Sequence, residues 1–199
     1  NAKSKLRDSL VCPPDHSVVT CDHGQIEARI VAWICGASTL LKQFANNEDP
    51  YAALATQIFG FPVDRTVHVV EGFIGKTGIL GLGYGCGVDH FDTMVVKLAR
   101  QLGLDISSIW LPGMASVSVR AYRNLHHEIP QGWRTLDNLI NTILAGPAGT
   151  VYKWGPVEFS RERIELPNGL FLHYHNLRRE NSEWYFDYGK FTHKLYGAK

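Results

Sequence analysis

The segment Asp22-His23-Gly24-Gln25-Ile26-Glu27-Ala28-Arg29 carries more structural information than any other part of this chain. The residues before it, Ser17 to Cys21, are β-rich, and those after it, Ile30 to Ile34, continue an apolar helical pattern. The sequence therefore predicts a strand, a turn and a helix. The Asp22 carboxylate would then stand at the end of a strand, with Glu27 five residues later on the helix. A carboxylate held in that way suits a metal ion.

Composition excludes few classes of protein. A chain of 199 residues with 45% hydrophobic content can bury a substantial core. Its net charge of +1 and pI near 7.9 neither require nor exclude nucleic acid, since a basic cleft can be offset by acids elsewhere. The four cysteines have no Cys-x-x-Cys or zinc spacing, which fits unpaired thiols in a reducing cytoplasm. We find no membrane-length apolar run and no signal peptide.

A second informative segment runs from Gly75 to Gly85, GKTGILGLGYG. Lys76, Leu80 and Tyr84 are four residues apart, so on a helix they share one face over roughly 12 Å. This stripe offers a cation, an apolar surface and an aromatic ring, as a nucleoside triphosphate and a neighbouring base pair require. The helix predicted over residues 68–84 also contains many glycines, each costing about 1 kcal/mol relative to alanine. The structural alternative is therefore a helix packed tightly on a neighbour, with Lys76 merely solvated.

Gly75-Lys76-Thr77 also looks like the end of a P-loop, with Val67 to Val70 as the preceding strand. A P-loop requires glycine at position 70, where this chain has valine. A P-loop nucleoside triphosphatase is therefore a minor alternative.

Together the two segments resemble motifs A and B of the family A (DNA polymerase I-like) DNA polymerases, in a form similar to that of phage members. This resemblance implies that Lys76 grips the incoming triphosphate and that Leu80 packs beside the nucleotide. It implies that Tyr84 occupies the insertion position until the template base displaces it, and that Gly85 lets the chain turn. Lys76 would act in catalysis as well as binding, and Tyr84 and Gly85 would contact template and primer.

The same resemblance assigns the first segment. Asp22 would be one of two metal-binding aspartates of a Mg²⁺ site, assisted by the backbone carbonyl of His23, with the second aspartate outside this chain. Two ions about 4 Å apart on a transferring phosphoryl group need several carboxylates. Glu27 would exclude ribonucleotides by filling the space beside C2′ of the sugar. Gln25 would contact the nucleotide, and Arg29 would support it.

Several positions depart from the family pattern. Gly72 replaces an arginine that also touches the triphosphate, and a charge-assisted bond of this kind contributes roughly 1.5–3 kcal/mol. We expect Gly72→Arg to lower the apparent KM for nucleotide, unless another cation substitutes. Gly24 and Leu170 replace a serine and an arginine. The third motif, His-Asp-Glu, is absent, so we expect these 199 residues to be a piece of a longer enzyme and inactive alone.

The remaining sequence predicts an α+β fold, the fingers and part of the palm of a right-hand polymerase. Residues 1–36 would form a palm strand and the motif A helix, residues 37–150 the fingers helices, and residues 151–199 an aromatic-rich β segment returning toward the palm. Three helices are predicted to begin at capping residues, namely Ser38, Asp49-Pro50 and Asp89. Residues 115–145 are predicted to form two helices with a break at Ile129-Pro130. Pro167-Asn168-Gly169 predicts a turn beside a strand over Phe171 to Tyr174. The resemblance extends from about Leu6 to Lys199.

We therefore expect template-directed DNA synthesis in DNA replication, with primer-template DNA and dNTPs as partners, in the cytoplasm and without a membrane or an obligate oligomer. The alternative is a non-catalytic DNA-binding remnant of such a polymerase. His173-x-His175 is a weak metal candidate because no third ligand is evident. Backbone contacts to DNA and ordinary solvent exposure are equally good interpretations of four arginines: Arg120, Arg123, Arg178 and Arg179.

Overall fold

The computed structural model of the protein describes residues 9, 11–147 and 149–195. Within that part of the chain, helices come first and strands follow, which confirms the α+β class. The helices are α1 (Ile26–Cys35), α2 (Ser38–Ala45), α3 (Pro50–Phe59), α4 (Val69–Leu82), α5 (Val88–Leu102), α6 (Met114–Leu125) and α7 (Glu128–Ala145). The strands are β1 (Tyr152–Trp154), β2 (Val157–Ser160), β3 (Arg163–Glu165), β4 (Phe171–His173), β5 (His175–Glu180), β6 (Glu183–Tyr188) and β7 (Phe191–Leu195). Leu6 and residues 196–199, where the resemblance begins and ends, lie outside the described residues.

The strand predicted over Ser17 to Cys21 is wrong. The backbone of residues 16–23 is neither helix nor strand, and Val18 and Val19 are 61% and 88% exposed. A strand is stabilised by hydrogen bonds to a neighbouring strand. Both sheets of the described chain are formed by residues 152–195, and neither includes this segment. Asp22 therefore follows an irregular, exposed segment.

Helix α3 begins and ends where its sequence predicts. The Asp49 carboxylate accepts hydrogen bonds from the amides of Tyr51 (2.9 Å) and Ala52 (3.3 Å), and Pro50 is the first helical residue. The helix ends at Gly60, whose φ of 75° is the left-handed conformation that glycine adopts without strain. Cap chemistry acts over three or four residues, so it is visible in the sequence.

Two other predicted caps are wrong. Helix α2 begins at Ser38 itself, after Ala37, and the Ser38 hydroxyl donates instead to Glu128 at 3.5 Å. Helix α5 begins at Val88, so Asp89 lies in its first turn rather than before it. A carboxylate there still stabilises the helix through its interaction with the positive end of the helix dipole.

The predicted break at Ile129-Pro130 is also displaced. Helix α6 ends at Leu125 and α7 begins at Glu128, so the break falls at His126-His127. Pro130 is the third residue of α7, where a backbone N–H would have no partner within the helix. Ile129 is fully buried, and this packing favours an earlier start for the helix.

The helices enclose one apolar core, with α4 at its centre. This helix packs against α1, α3, α5 and α6. A second, smaller cluster lies between the C-terminal half of α7 and the first sheet and contains Ile143, Val157 and Phe159. The large side chains that are almost completely buried include Tyr122, Phe91, Leu40, Leu54, Ile74, Ile79, Leu82 and Trp184.

The strands form two antiparallel sheets, one in the order β1-β2-β3-β4 and the other in the order β5-β6-β7. The predicted turn at Pro167-Asn168-Gly169 joins β3 to β4. The amide of Gly169 (φ 78°) donates to the Leu166 carbonyl at 2.9 Å, and the Leu170 amide donates to Asn168 Oδ1 at 3.1 Å. In the described ranges, no helix is long and apolar enough to cross a bilayer. All four cysteines are unpaired.

Candidate nucleotide-binding site

Helix α4 presents Lys76 to solvent because its other side is packed through glycines. A Cβ atom at Gly75 would lie 2.2 Å from the Tyr51 carbonyl oxygen, and one at Gly78 would lie 2.6 Å from Leu54 Cδ2. Helix α3 therefore packs directly on the backbone of α4, while Lys76, between these glycines in sequence, is exposed. The tight-packing explanation of the glycines is confirmed, and it leaves the Lys76 ammonium accessible.

The same close packing continues toward both ends of α4. A Cβ at Gly81 would lie 2.3 Å from the terminal methyl of Met94 on α5. A Cβ at Gly72 would lie 2.6 Å from Cγ of Arg65. The glycines thus account for the position of α4 between its neighbours, although they lower its intrinsic helix propensity.

The C-terminal end of α4 differs from the predicted stripe. The helix ends at Leu82, so Lys76 and Leu80 share a helical face but Tyr84 lies in the turn that follows. The side chain of Tyr84 is 58% exposed. Gly85 has a φ of 77°, so the chain does turn at this residue.

The two segments singled out from the sequence meet at Tyr84 and Glu27. The Tyr84 hydroxyl lies beside the Glu27 carboxylate. Partial burial, followed by the interaction with Glu27 and its charge, raises the pKa of Tyr84 above its usual value.

Gln25 and Arg29 attach the first segment to its neighbours. Gln25, with a left-handed φ of 59°, precedes α1, and its side chain interacts with Tyr51 of α3. Arg29 Nε donates to the Gly24 carbonyl at 3.0 Å, and its guanidinium lies 4.4 Å from the centre of the Phe44 ring. Both side chains thus have partners within the protein.

Asp22 and His23 are exposed, and the His23 carbonyl accepts a hydrogen bond from the Ile26 amide at 3.3 Å. Among the described residues, no three His, Cys, Asp or Glu side chains come together to hold a metal ion. These residues do not form a Mg²⁺ centre by themselves, because Asp22 offers a single carboxylate and Glu27 interacts with Tyr84.

The geometry of Lys76 shows that the P-loop interpretation is wrong. Val67 to Val70 include no strand, and Lys76 lies in the middle of α4 rather than at the start of a helix. The Thr77 hydroxyl, which would face a metal in a P-loop, donates instead to the Phe73 carbonyl within the helix at 2.9 Å.

Beside Tyr84 lies an open cleft of about 980 Å³ that the sequence did not reveal. The residues that bring charge or aromatic surface to it include His90, Arg123, Trp133 and Arg134. Trp133 Nε1 donates to the Gly83 carbonyl at 3.2 Å, and the Arg123 guanidinium lies 5.9 Å from the centre of the Trp133 ring. The adjacent Trp133-Arg134 pair was the available sequence signal, but only folding places it near Gly83.

Of the remaining arginine and histidine candidates, Arg120 is exposed on α6 and the others lie in the C-terminal sheets. Arg178 forms ion pairs with Glu180 (2.7 Å) and Asp187 (3.1 Å). Arg179 donates to Asn141 at 3.1 Å. His173 and His175 are exposed, and their rings stack 5.4 Å apart. Arg178 and Arg179 are thus engaged within the protein.

The sequence is similar to known polymerases over its first half. Residues 1–107 match the profile of DNA polymerase family A. DNA polymerase I of Rhizobium leguminosarum is 33% identical over 103 residues, 52% of this chain and 9% of that protein. The Mycobacterium tuberculosis DNA polymerase I is 31% identical over 86 residues (43% and 9%), and the Chloroflexus aurantiacus one is 30% identical over 102 residues (51% and 10%).

These matches span only about a tenth of the length of the curated relatives. The residues 22–29 and 75–85 both fall inside the region that matches the family. Since that region makes up more than half of the 199 residues, the chain belongs to DNA polymerase family A.

Proposed function

We propose that this chain forms the nucleotide-binding part of a template-directed DNA polymerase that acts in DNA replication. In the reaction, the primer 3′-hydroxyl forms a bond to the α-phosphate of a dNTP, the bond between the α- and β-phosphates breaks, and pyrophosphate leaves. Phosphoryl transfer of this kind depends chiefly on positioning and electrostatic stabilisation. The residues of this chain would therefore act chiefly by positioning the nucleotide and the DNA.

The interaction between Tyr84 and Glu27 is the observation that carries this proposal. It brings the segment after α4 to the start of α1. Glu27 would fill the space beside C2′ of the bound sugar and so exclude a ribose hydroxyl. Tyr84, held by Glu27, would occupy the insertion position and leave it when the template base enters.

Helix α4 would supply the triphosphate contact. The exposed Lys76 would bind the phosphates, and the half-buried Leu80, one turn further along, would pack beside the nucleotide. Gln25 would contact the nucleotide from the other segment. Asp22 and the His23 carbonyl remain proposed ligands of a Mg²⁺ centre, with the other carboxylate outside this chain.

The cleft beside Tyr84 and Gly85 would receive the template strand. Its lining combines the cationic side chains of Arg123 and Arg134 with the indole ring of Trp133 and one carboxylate, Asp137. Cations pair with backbone phosphates, and aromatic rings stack on unpaired bases. Primer-template DNA and dNTPs are thus the proposed partners.

We also propose a domain assignment, in which residues 1–36 belong to the palm, residues 37–150 are fingers, and residues 151–199 return toward the palm. We propose a phage-type polymerase acting in the cytoplasm without an obligate oligomer.

Binding of a Mg²⁺·dNTP to the chain, measured by titration calorimetry, tests the role of Lys76. We expect Lys76→Ala to weaken binding roughly tenfold or more, as loss of a charge-assisted contact does. Lys97→Ala is the matched control, because Lys97 is also exposed but lies on α5. Equal affinity of the Lys76 and Lys97 variants would contradict the assignment.

The proposed sugar gate predicts a separate change. In a polymerase that contains this chain, Glu27→Ala should increase ribonucleotide incorporation relative to dNTP incorporation. Tyr84→Phe removes the hydroxyl beside Glu27 but keeps the Glu27 side chain, so it should preserve most of the discrimination. Equal discrimination by parent and Glu27→Ala would refute the gate. If the parent binds primer-template but incorporates no nucleotide, the non-catalytic alternative is supported.

A further inference from the structure

The arginine missing from α4 has a structural substitute in Arg65, which precedes the helix. We propose that Arg65 binds the triphosphate together with Lys76, an inference that rests on the proposed nucleotide-binding role of α4. Gly72 lies one helical turn before Lys76, about 6 Å along the axis. The family resemblance implies an arginine at Gly72.

The main chain and stem of Arg65 occupy the space where a side chain at residue 72 would begin. A Cβ at Gly72 would lie 2.6 Å from Arg65 Cγ, 3.2 Å from its Cβ and 3.4 Å from its Cα. These atoms lie close to the backbone and cannot move freely. Gly72 therefore allows Arg65 to cross α4 at this point, because any larger side chain at residue 72 would collide with Arg65.

The turn that carries Arg65 is itself well ordered by hydrogen bonds. Asp64 Oδ1 accepts from the Thr66 amide (2.8 Å) and hydroxyl (2.7 Å), and the Asp64 amide donates to His68 Nδ1 (3.0 Å). His68 in turn accepts from the Gly72 amide at 2.9 Å through its carbonyl. The position of Arg65 against α4 is thus fixed before any ligand binds, which reduces the entropy lost on binding.

The guanidinium of Arg65 is accessible and lies at the start of α3. It is 4.8 Å from the centre of the Tyr51 ring, and its Nη1 donates to Asp49 Oδ2 at 2.7 Å. Tyr51 also interacts with Gln25 of the first segment. The side chain of Arg65 is 35% exposed. A guanidinium has five N–H donors, so Nη2 and Nε can bind phosphate oxygens while Nη1 contacts Asp49.

This geometry changes the expected effect of Gly72→Arg. The new side chain would collide with the stem of Arg65, so the single substitution should not improve nucleotide binding. Arg65→Ala removes the 2.6 Å contact with Cγ and leaves only the 3.2 Å and 3.4 Å contacts with Cβ and Cα of residue 65. The double variant Arg65→Ala/Gly72→Arg would then return a guanidinium to the helix itself.

The test is the affinity of the 199-residue chain for Mg²⁺·dGTP and for inorganic tripolyphosphate, measured by calorimetry, with thermal unfolding as a check on folding. We expect Arg65→Ala to weaken both affinities roughly tenfold or more. Arg65→Lys keeps the stem over Gly72 but lacks the planar fork, so it should weaken binding to a smaller extent. Arg65→Ala/Gly72→Arg should recover much of the loss, whereas Gly72→Arg alone should bind no more tightly than the parent.

Asp49→Asn separates nucleotide binding from a purely structural role of Arg65. Asparagine still caps α3, but it removes the anion that competes with phosphate for the guanidinium. We expect tighter triphosphate binding in this variant than in Glu48→Gln, which removes a neighbouring exposed charge. The advantage should disappear in the Arg65→Ala background. An Asp49→Asn variant that binds more weakly than the parent would overturn the proposal.

The outcomes also distinguish this inference from the proposed function. If Lys76→Ala weakens binding and a folded Arg65→Ala or Arg65→Lys variant does not, α4 binds the triphosphate but Arg65 has no part in it. If neither substitution at Lys76 nor those at Arg65 weakens binding, both proposals are wrong.

Discussion

The helical region, α1 to α7, and the three-stranded sheet, β5 to β7, are stabilised by different chemistry. The helices enclose a core of almost fully buried apolar side chains, and α3, α4 and α5 approach each other through glycine. The sheet instead exposes large side chains, including Tyr188 (68%) and Phe191 (71%). Its strands are joined by polar contacts in addition to the backbone ladder.

Asp187 is the centre of the polar contacts in the sheet. Its carboxylate accepts hydrogen bonds from Asn176 Nδ2 (2.8 Å), Thr192 Oγ1 (2.8 Å) and Arg178 Nη1 (3.1 Å), which come from both neighbouring strands. Lys194 and Glu183 form a further cross-strand ion pair. The helices thus depend chiefly on apolar packing, whereas the strands of this sheet, apart from the buried Trp184, are joined by polar and charged side chains. Substitution, acid and salt should therefore affect the two regions differently.

Removal of a core ring should have the largest effect. Phe91 is fully buried on α5, with its ring centre 6.0 Å from that of Trp110. Phe91→Ala should lower the free energy of unfolding by about 3–5 kcal/mol because it leaves a cavity. Denaturant unfolding measures this loss, and Val96→Ala, on the exposed side of the same helix, is the control. A loss no greater than in the control would contradict the described core.

Acid should weaken the helical region through His126. This residue is 1% exposed and meets Tyr122 edge to face, with ring centres 5.1 Å apart, and neither of its ring nitrogens has a hydrogen-bond partner among the described residues. Burial, partly opposed by Glu128, lowers the pKa of His126 from 6.5 to about 4. The unfolded chain therefore binds more protons between these values, so stability is complete above pH 6.5 and falls as the pH is lowered toward 4. The full loss is about 3 kcal/mol.

Denaturant midpoints measured from pH 7 to pH 4 test this effect of His126. His126→Leu keeps a side chain of similar size and removes the titrating group, so its stability should change less over this range. Carboxylates titrate in both proteins, and the difference between the two curves isolates His126. Parallel curves would show that His126 is not a buried neutral base.

The glycine contacts of α4 should respond unequally to an added methyl group. At Gly75 the new Cβ would meet the Tyr51 carbonyl oxygen at 2.2 Å, and backbone cannot move aside. We expect Gly75→Ala to destabilise the protein by about 1–3 kcal/mol, despite the higher helix propensity of alanine. At Gly81 the new Cβ would meet only the end of the flexible Met94 side chain. Gly81→Ala should thus be close to neutral in thermal unfolding, and equal losses would show that the two contacts are alike.

The sequence predicted those elements whose signals are local. Asp49-Pro50 specified the start of α3, and Pro167-Asn168-Gly169 specified the turn between β3 and β4, because the groups that form these structures lie within four residues. The prediction of a strand over Ser17 to Cys21 was wrong because a strand requires a neighbouring strand, which no local pattern supplies. The break before α7 was misplaced because Pro130 is tolerated in a first turn, and the burial of Ile129 is not visible in the sequence.

In the candidate site, too, the sequence predicted only the features whose signals are local. Lys76 and Leu80 were found from helical spacing, and their common face on α4 is as expected. The contact between Glu27 and Tyr84 joins segments that are distant in sequence, so spacing alone did not predict it. Arg65 was missed because its position depends on the absence of a side chain at Gly72. The role of each of these residues in nucleotide binding stays a prediction.

The smallest effect should come from Asp187→Asn, and it should be confined to β5 to β7. The hydrogen bonds from Asn176 and Thr192, followed by that from Arg178, lower the pKa of Asp187 to about 2. The folded carboxylate therefore stabilises the sheet above pH 4, and this contribution is lost as the pH falls from 4 toward 2. That range lies below the one in which His126 acts.

Hydrogen exchange of the β5 to β7 amides should become faster in Asp187→Asn at neutral pH, and less so in high salt, which screens partly exposed charges. Glu158→Gln, in the other sheet, should leave these amides unchanged. Equal acceleration in the amides of α4 and α5 would show that the two regions open as one unit, which would contradict the proposed difference in how they are stabilised.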